Sequence, residues 1–308
     1  MKRRIWSHNA EAILWVLAST GMFSVIFAAG KFAGESASVP QISLLRQFGA
    51  VLTLAVMMLA RGEGPSDYLS RRPLAHLVRT IFGVVGGLAV VQAAADMPIV
   101  DSTALSLLYV VFVVILGMIF FRERIGPRQM GGILVCAAGA FTIVISRGAF
   151  QHFDMSYLWP AGMAVAGALL FAFEAIFIKF LAQNDRPLTV MMHVNIFSLF
   201  LLAVPAWYAW KPLPWSEFFL YWLYGPLGLV AQYCLIRGFR LADISVVGPV
   251  DYSWLVFASI IGFVFFGEVP TTGVVAGSAL ILIGGVVLAS VRPSKPKQPV
   301  AEFSGSAQ

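Results

Sequence analysis

The strongest constraint on this chain is a succession of ten apolar runs, at about 12–32, 41–60, 75–95, 99–121, 129–146, 158–181, 188–209, 217–237, 244–266 and 273–291. A helix needs about 20 apolar residues to cross a hydrocarbon core. In that solvent each backbone N–H and C=O must be satisfied internally, so only helices and closed barrels span it. Barrel strands alternate polar and apolar over roughly ten residues, whereas these runs are continuously apolar over about twice that length. The expected fold class is therefore an all-α membrane protein of ten transmembrane helices. Composition agrees: 59% of the 308 residues are hydrophobic and 12% charged. A soluble domain carries about twice that charged fraction. The first run follows Met1-Lys2-Arg3-Arg4 and is too long for a signal-peptide core, so it is expected to be an uncleaved first helix.

The connections are short. The longest polar one runs from Arg61 to Pro73. With the N-terminus in the cytoplasm, alternate loops give that side Lys2, Arg3, Arg4, Arg61, Arg71, Arg72, Arg79, Arg122, Arg124, Arg128, Lys179, Arg186, Arg237, Arg240, Arg292, Lys295 and Lys297. The outer side receives only Lys31, Arg147 and Lys211, and Arg46 falls inside a span. Lys and Arg favour the cytoplasmic side of a membrane protein, so seventeen against three predicts both termini in the cytoplasm of an inner, or plasma, membrane. Trp207, Trp210 and Trp215 gather near Lys211 as an interfacial belt would. The net charge of +6 comes with no basic stripe bearing exposed aromatics, which argues against nucleic acid as a partner. Cys136 and Cys234 lie in apolar runs and read as free thiols; two distant cysteines make neither a zinc site nor a disulfide framework. HExxH, GxSxG, CxxC and phosphate-loop motifs are absent, and Gly83-Val84-Val85-Gly86-Gly87 has no strand before it. No catalytic residue, metal site or cofactor is predicted.

The two halves resemble each other. Phe120-Phe121-Arg122-Glu123 returns as Phe265-Phe266-Gly267-Glu268, and the same offset carries Gly132 onto Gly277 and Gly139 onto Gly284. Lys31-Phe32 matches Lys179-Phe180, and Pro40 matches Pro187, which sets Arg46 opposite His193. Each half has five spans, an odd number, so the second half enters the membrane inverted. Inverted repeats are a hallmark of secondary transporters, whose substrates bind near the midplane where the repeats meet. The predicted domains are a cytoplasmic N-terminus (1–11), a first repeat (12–146), a second repeat (158–291) and a disordered cytoplasmic tail (292–308).

These same stretches resemble a known family. Phe121-Arg122-Glu123-Arg124 followed by Gln129 to Gly139, and Gly267-Glu268 followed by Val274 to Gly285, look like the ends of EamA domains of the drug/metabolite transporter superfamily. The likeness covers about residues 12–291. It implies two five-helix inverted-topology EamA repeats and transport of amino acids, amines, vitamins such as riboflavin, S-adenosylmethionine or similar metabolites, in either direction. The chain departs from the family pattern in having Arg122-Glu123 where Gly-Glu is commoner. It also lacks the frequent mid-helix proline of the fourth span, which Pro249 supplies in the second half only.

The candidate site residues are polar groups set inside spans. Arg46 lies about five residues into the second span and offers a planar fork for a substrate carboxylate, or else snorkels to the interface. His193, at the matching depth of the seventh span, either binds substrate and protons or is satisfied by a neighbouring helix. Tyr109, Trp254, Gln92 and Gln232 are substrate-lining candidates, with helix packing as the competing role. Glu174 and Asp251 are the carboxylates deepest in apolar sequence and candidates for proton coupling. The competing roles are a pair with Lys179, at a poor helical spacing, for Glu174, and a bond to the carbonyl freed by Pro249 for Asp251. Glu123 and Glu268 read as structural, either solvated or capping the next helix, and Lys31 and Lys179 as snorkelling ends. The expected protein is a secondary active transporter working by alternating access, a monomer or homodimer in the lipid bilayer with a small-molecule substrate. An intramembrane lipid or isoprenoid enzyme would need paired Asp-rich motifs, which are absent. A passive channel would show no counter-substrate exchange.

Overall fold

The computed structural model describes residues 8–33, 36–151 and 155–291, with side chains at 29–33 left out. The N-terminal segment before His8, the Lys31 side chain and the tail from Arg292 therefore lie outside the described residues. Among the described residues ten helices are long and apolar enough to cross a bilayer. They are α1 (His8–Ala33), α2 (Val39–Ala60), α3 (Pro73–Asp96), α4 (Ile99–Phe120), α5 (Pro127–Ser146), α6 (Leu158–Asn184), α7 (Pro187–Tyr208), α8 (Trp215–Leu241), α9 (Ile244–Phe266) and α10 (Thr272–Ala289).

Local chemistry sets the starts. α3, α5 and α7 open on Pro73, Pro127 and Pro187. Proline suits the first turn because its missing N–H would have no helical partner there. α2 opens on a reciprocal cap: Ser38 Oγ accepts from Gln41 N at 3.3 Å, and Gln41 Oε1 accepts from Ser38 N at 3.5 Å.

Hydrogen bonds near the helix ends sort those ends onto two faces. On one face Asn9 Nδ2 donates to Val291 O, Ser70 Oγ to Asp185 Oδ2, and Ile244 N to Glu123 Oε1. On the other, Gln41 Nε2 donates to Lys211 O, Ser36 Oγ to Glu217 Oε2, and Phe150 N to Asp101 Oδ1. The first is the arginine-rich face, with Arg61, Arg71, Arg72, Arg122, Arg124, Arg128, Arg186, Arg237 and Arg240.

Packing follows an internal two-fold. α1 lies along α8 as α6 lies along α3, and α2 touches α7 and α8. α5 and α10 pair along most of their length. Glycines permit this closeness: a methyl group on Gly139 would sit 2.6 Å from Gly277 O, and one on Gly284 would sit 2.9 Å from Gly132 O. Small residues let spans approach where hydrophobic burial gives no drive for helices to associate.

Candidate functional site

α4 and α9, equivalent helices of the two halves, are each interrupted part-way. α4 breaks at Leu107 between Ile99–Ser106 and Leu108–Phe120. α9 passes through a 3₁₀ turn, Gly248–Tyr252, before resuming at Ser253–Phe266. Pro249 has no N–H to continue the ladder, and Gly248 lets the turn press on α4; a methyl group there would sit 2.8 Å from Val113 Cγ1. Broken helices inside a membrane are tolerated where they are buried in protein or line a cavity.

The breaks bring side chains together. Asp251, in the turn of α9, accepts a hydrogen bond at 2.9 Å from the hydroxyl of Tyr109, the second residue of α4 after its break. Thr20 Oγ1 of α1 lies 3.4 Å from the other carboxylate oxygen and donates to Val16 O at 2.9 Å. Asp251 is thus met by Tyr109 of α4 and Thr20 of α1. Trp254, three residues on, lies partly buried against the core. Tyr109 is also within electrostatic range of Glu174 on α6.

Glu174 meets Arg79 of α3, with Oε1 and Nε 3.8 Å apart, an ion contact without a direct hydrogen bond. Gly83 makes room for it: a methyl group there would sit 2.8 Å from the carboxylate carbon. Arg79 is 3% exposed, and its Nε and Nη1 have no hydrogen-bond partner among the described residues. Arg79 therefore belongs inside α3 and not to the loop charges, and Glu174 pairs with Arg79, not with Lys179. Lys179 is also corrected: it is 4% exposed, and its ammonium donates to Ala242 O at the end of α8 instead of snorkelling.

Arg46 is half-buried on α2, with Nη1 against Gly228 of α8 and Ile26 of α1 alongside. It makes no hydrogen bond or ion pair among the described residues. His193 lies at the opposite end of the bundle. Its ring stacks on His76 with centroids 4.4 Å apart, and its Nδ1 is 2.9 Å from Thr189 O. His76 is fully buried, with Nε2 2.8 Å from Asp185 Oδ2. Gln232 accepts from Asn195 Nδ2 at 2.8 Å, joining α8 to α7. Gln92 is exposed and donates to Asp96 at 2.8 Å near the end of α3. The predicted residues therefore do not form one cluster. Tyr109, Asp251, Trp254 and Glu174 lie around the broken helices, Arg46 and His193 stand towards opposite faces, Gln232 bonds across to α7, and Gln92 bonds within α3.

Sequence reasoning missed Arg79 and His76 as members of the interior. A signal was present: His76, Arg79, Thr80, Gly83 and Gly86 recur at i, i+3, i+4, i+7 and i+10, the face that α3 turns to α6. Glu123 caps a helix, as expected, but the helix is α9: it accepts from Ile244 N at 2.7 Å, Ser245 N at 2.9 Å and Ser245 Oγ at 2.5 Å. Among the described residues no three His, Cys, Asp or Glu side chains gather as metal ligands, and Cys136 and Cys234 are buried free thiols.

The EamA-like transporter family matches residues 10–145 and 158–290, one stretch in each half. The chain is 26% identical to a riboflavin transporter of Rhizobium johnstonii, over 95% of both chains. It is 30% identical to the pseudopaline exporter CntI of Pseudomonas aeruginosa, over 92% of this chain and 97% of that one. It is 21% identical to an S-adenosylmethionine uptake transporter of Rickettsia bellii, over 87% and 89%. A solved crystal structure shares the fold at a TM-score of 0.76, with 20% identity over 91% of this chain and 97% of that one.

Proposed function

The chain belongs to the EamA-like transporter family, within the drug/metabolite transporter superfamily, and from that premise we propose that it carries a small zwitterionic or anionic organic metabolite through the junction between its two broken helices. The observation that carries the reading is the contact of Asp251 with Tyr109. It joins the interruptions of α4 and α9, where the two repeats meet, and sets a carboxylate in the bundle interior. Inverted-repeat transporters hold substrate at such a place.

Tyr109 and Trp254 supply aromatic walls, and Arg46 offers two or more donors to a substrate carboxylate entering from its end. His193, stacked on His76, serves the other end. Asp251 and Glu174 exchange protons: an ionisable group inside a membrane is costly unless function retains it. The relatives named for riboflavin, pseudopaline and S-adenosylmethionine are consistent with a small organic substrate, moved in either direction. The energy comes from an ion gradient or from exchange. The arginine-rich face is cytoplasmic, with both termini on that side of the plasma membrane.

Metabolite profiling of cells and medium, with the gene deleted and overexpressed, identifies the substrate and the direction by sign. Uptake into proteoliposomes then tests the site. Asp251→Asn and Glu174→Gln abolish gradient-driven accumulation and spare exchange. Unchanged pH dependence in both variants removes the proton role. A periplasm-active reporter fused after Arg292 stays silent in this orientation, and activity there reverses it.

A further inference from the structure

We propose that a pocket between α2, α7 and α8 on the arginine-rich face is a headgroup site for an anionic phospholipid. The pocket has a volume of about 540 Å³ and gathers Arg61, Arg186, Arg237 and Arg240. Three helix ends deliver them. Arg61 closes α2, Arg186 precedes Pro187 at the start of α7, and Arg237 and Arg240 occupy the last turns of α8.

None of the four guanidinium groups forms a salt bridge among the described residues. Arg237 stacks over Trp15 at 5.9 Å, and its Nε is buried without a hydrogen-bond partner among the described residues. The one carboxylate at the pocket, Glu63, accepts the Tyr68 hydroxyl at 2.5 Å. Like charges crowded in a partly desolvated space repel strongly, and a buried donor left unpaired is costly. An anion relieves both. Arginine is suited to phosphate because its donors form a planar fork.

The remaining wall says which anion. Below the arginines the lining is apolar: Met57 lies one turn inside Arg61, Met191 one turn inside Pro187, and Leu229 and Tyr233 two to three turns inside the end of α8. Val230 continues this wall and is 49% exposed on the outside of the bundle. Charge at the membrane boundary above an apolar wall running into the hydrocarbon matches a phospholipid, headgroup above and acyl chain below. A free phosphate or a soluble organic anion would leave the apolar wall unused. Basic pockets between spans are suited to anionic headgroups. The site shares no residue with the junction of Asp251 and Tyr109, so it stands whichever metabolite is carried.

The test uses the full-length protein in phosphatidylcholine nanodiscs, titrated with phosphatidylglycerol and read by thermal unfolding and native mass spectrometry. Wild type is expected to gain stability and retain bound phosphatidylglycerol, while inorganic phosphate and added phosphatidylcholine do neither. Arg237→Gln/Arg240→Gln lowers the apparent affinity about thirtyfold, as removing two basic contacts of about 1 kcal/mol each implies. Arg124→Gln/Arg128→Gln, on the same face outside the pocket, leaves it unchanged. If the first pair folds poorly, Arg61→Gln/Arg186→Gln gives a second reading from the other wall. Full affinity in either pocket pair overturns the site, and equal stabilisation by inorganic phosphate overturns the lipid.

Discussion

The turn after α4 and the turn after α9 have nearly the same backbone and different partners. Arg122 and Gly267 both adopt left-handed backbone, with φ of 52° and 67°. The following amide returns to a glycine carbonyl in each, from Glu123 to Gly117 at 3.5 Å and from Glu268 to Gly262 at 3.0 Å. Both carboxylates lie over their glycine: a methyl group would sit 3.3 Å from Glu123 Oε2 on Gly117 and 2.6 Å from Glu268 Oε2 on Gly262. Beyond that the halves diverge. Glu123 grips the start of α9 through two amides and the Ser245 hydroxyl, and Gln129 Nε2 also donates to Ser245 Oγ at 2.8 Å. Residue Val100 of α4, at the place equivalent to Ser245, has no hydroxyl. There Glu268, Val100, Arg147 and Ser259 surround a pocket of about 320 Å³, and Arg147 Nη2 donates to Ser259 Oγ at 2.8 Å. The repeat has thus kept the turn and changed its grip, so the arginine-rich end of the bundle is fastened at a point where the other end holds a pocket.

This contrast sets a scale for mutations. The largest effect is expected from Glu123→Ala, which leaves two α9 amides unpaired and removes the counter-charge near Lys179. Loss of about 3 kcal/mol is expected, read as a fall in unfolding temperature in detergent. Glu268→Ala should fall less, and equal falls would erase the difference between the turns.

Next is the pair that the repeat sets at opposite ends. Arg46→Ala should abolish transport, and Arg46→Lys should weaken apparent affinity tenfold to hundredfold, as losing a charged hydrogen bond of roughly 1.5–3 kcal/mol implies. His193→Ala, which loses a stacking partner, should act less on affinity. Concentration-dependent uptake at matched protein level reads both. Wild-type affinity in Arg46→Ala reduces that residue to an interfacial anchor.

Ser245→Val gives α9 the residue that α4 has at the same place. It removes one acceptor from Gln129 and one donor to Glu123, and a loss of about 1–2 kcal/mol is expected in the same unfolding assay. Val100→Ser should change little. The smallest effect is expected from Arg122→Gly, which gives the first turn the residue of the second. Left-handed backbone costs a non-glycine residue roughly 1 kcal/mol, so the variant should gain up to about that much, and a loss would mean that the Arg122 side chain outweighs its backbone.

The spans and the repeat were legible because hydrocarbon thickness is written into the length of each apolar run and the duplication into Glu123 and Glu268. Asp251 and Glu174 were visible as charges out of place. Their partners were not. Thr20, Tyr109 and Asp251 belong to three helices, and nothing local in sequence joins residues 89 and 142 positions apart. Arg79 was misread because the count of loop charges treats every arginine near a span end as solvated, whereas helical phase places it on the face that α3 buries against α6. Lys179 failed likewise: its length suits snorkelling, but the end of α8 offers a carbonyl within reach.

The glycine seam of α5 and α10 carries one more consequence. Gly139 meets Gly277, and Gly132 meets Gly284. Exchange each residue for its counterpart in the other half, and the first contact becomes the second. Reciprocity of this kind defines an interface between identical subunits related by a two-fold axis. The polypeptide therefore holds within itself the contact that two separate five-helix chains, inserted in opposite directions, would make with each other. A bulky residue at Gly139 and one at Gly284 are, to that axis, the same lesion, and two half-length chains expressed apart have a ready-made surface on which to reassemble.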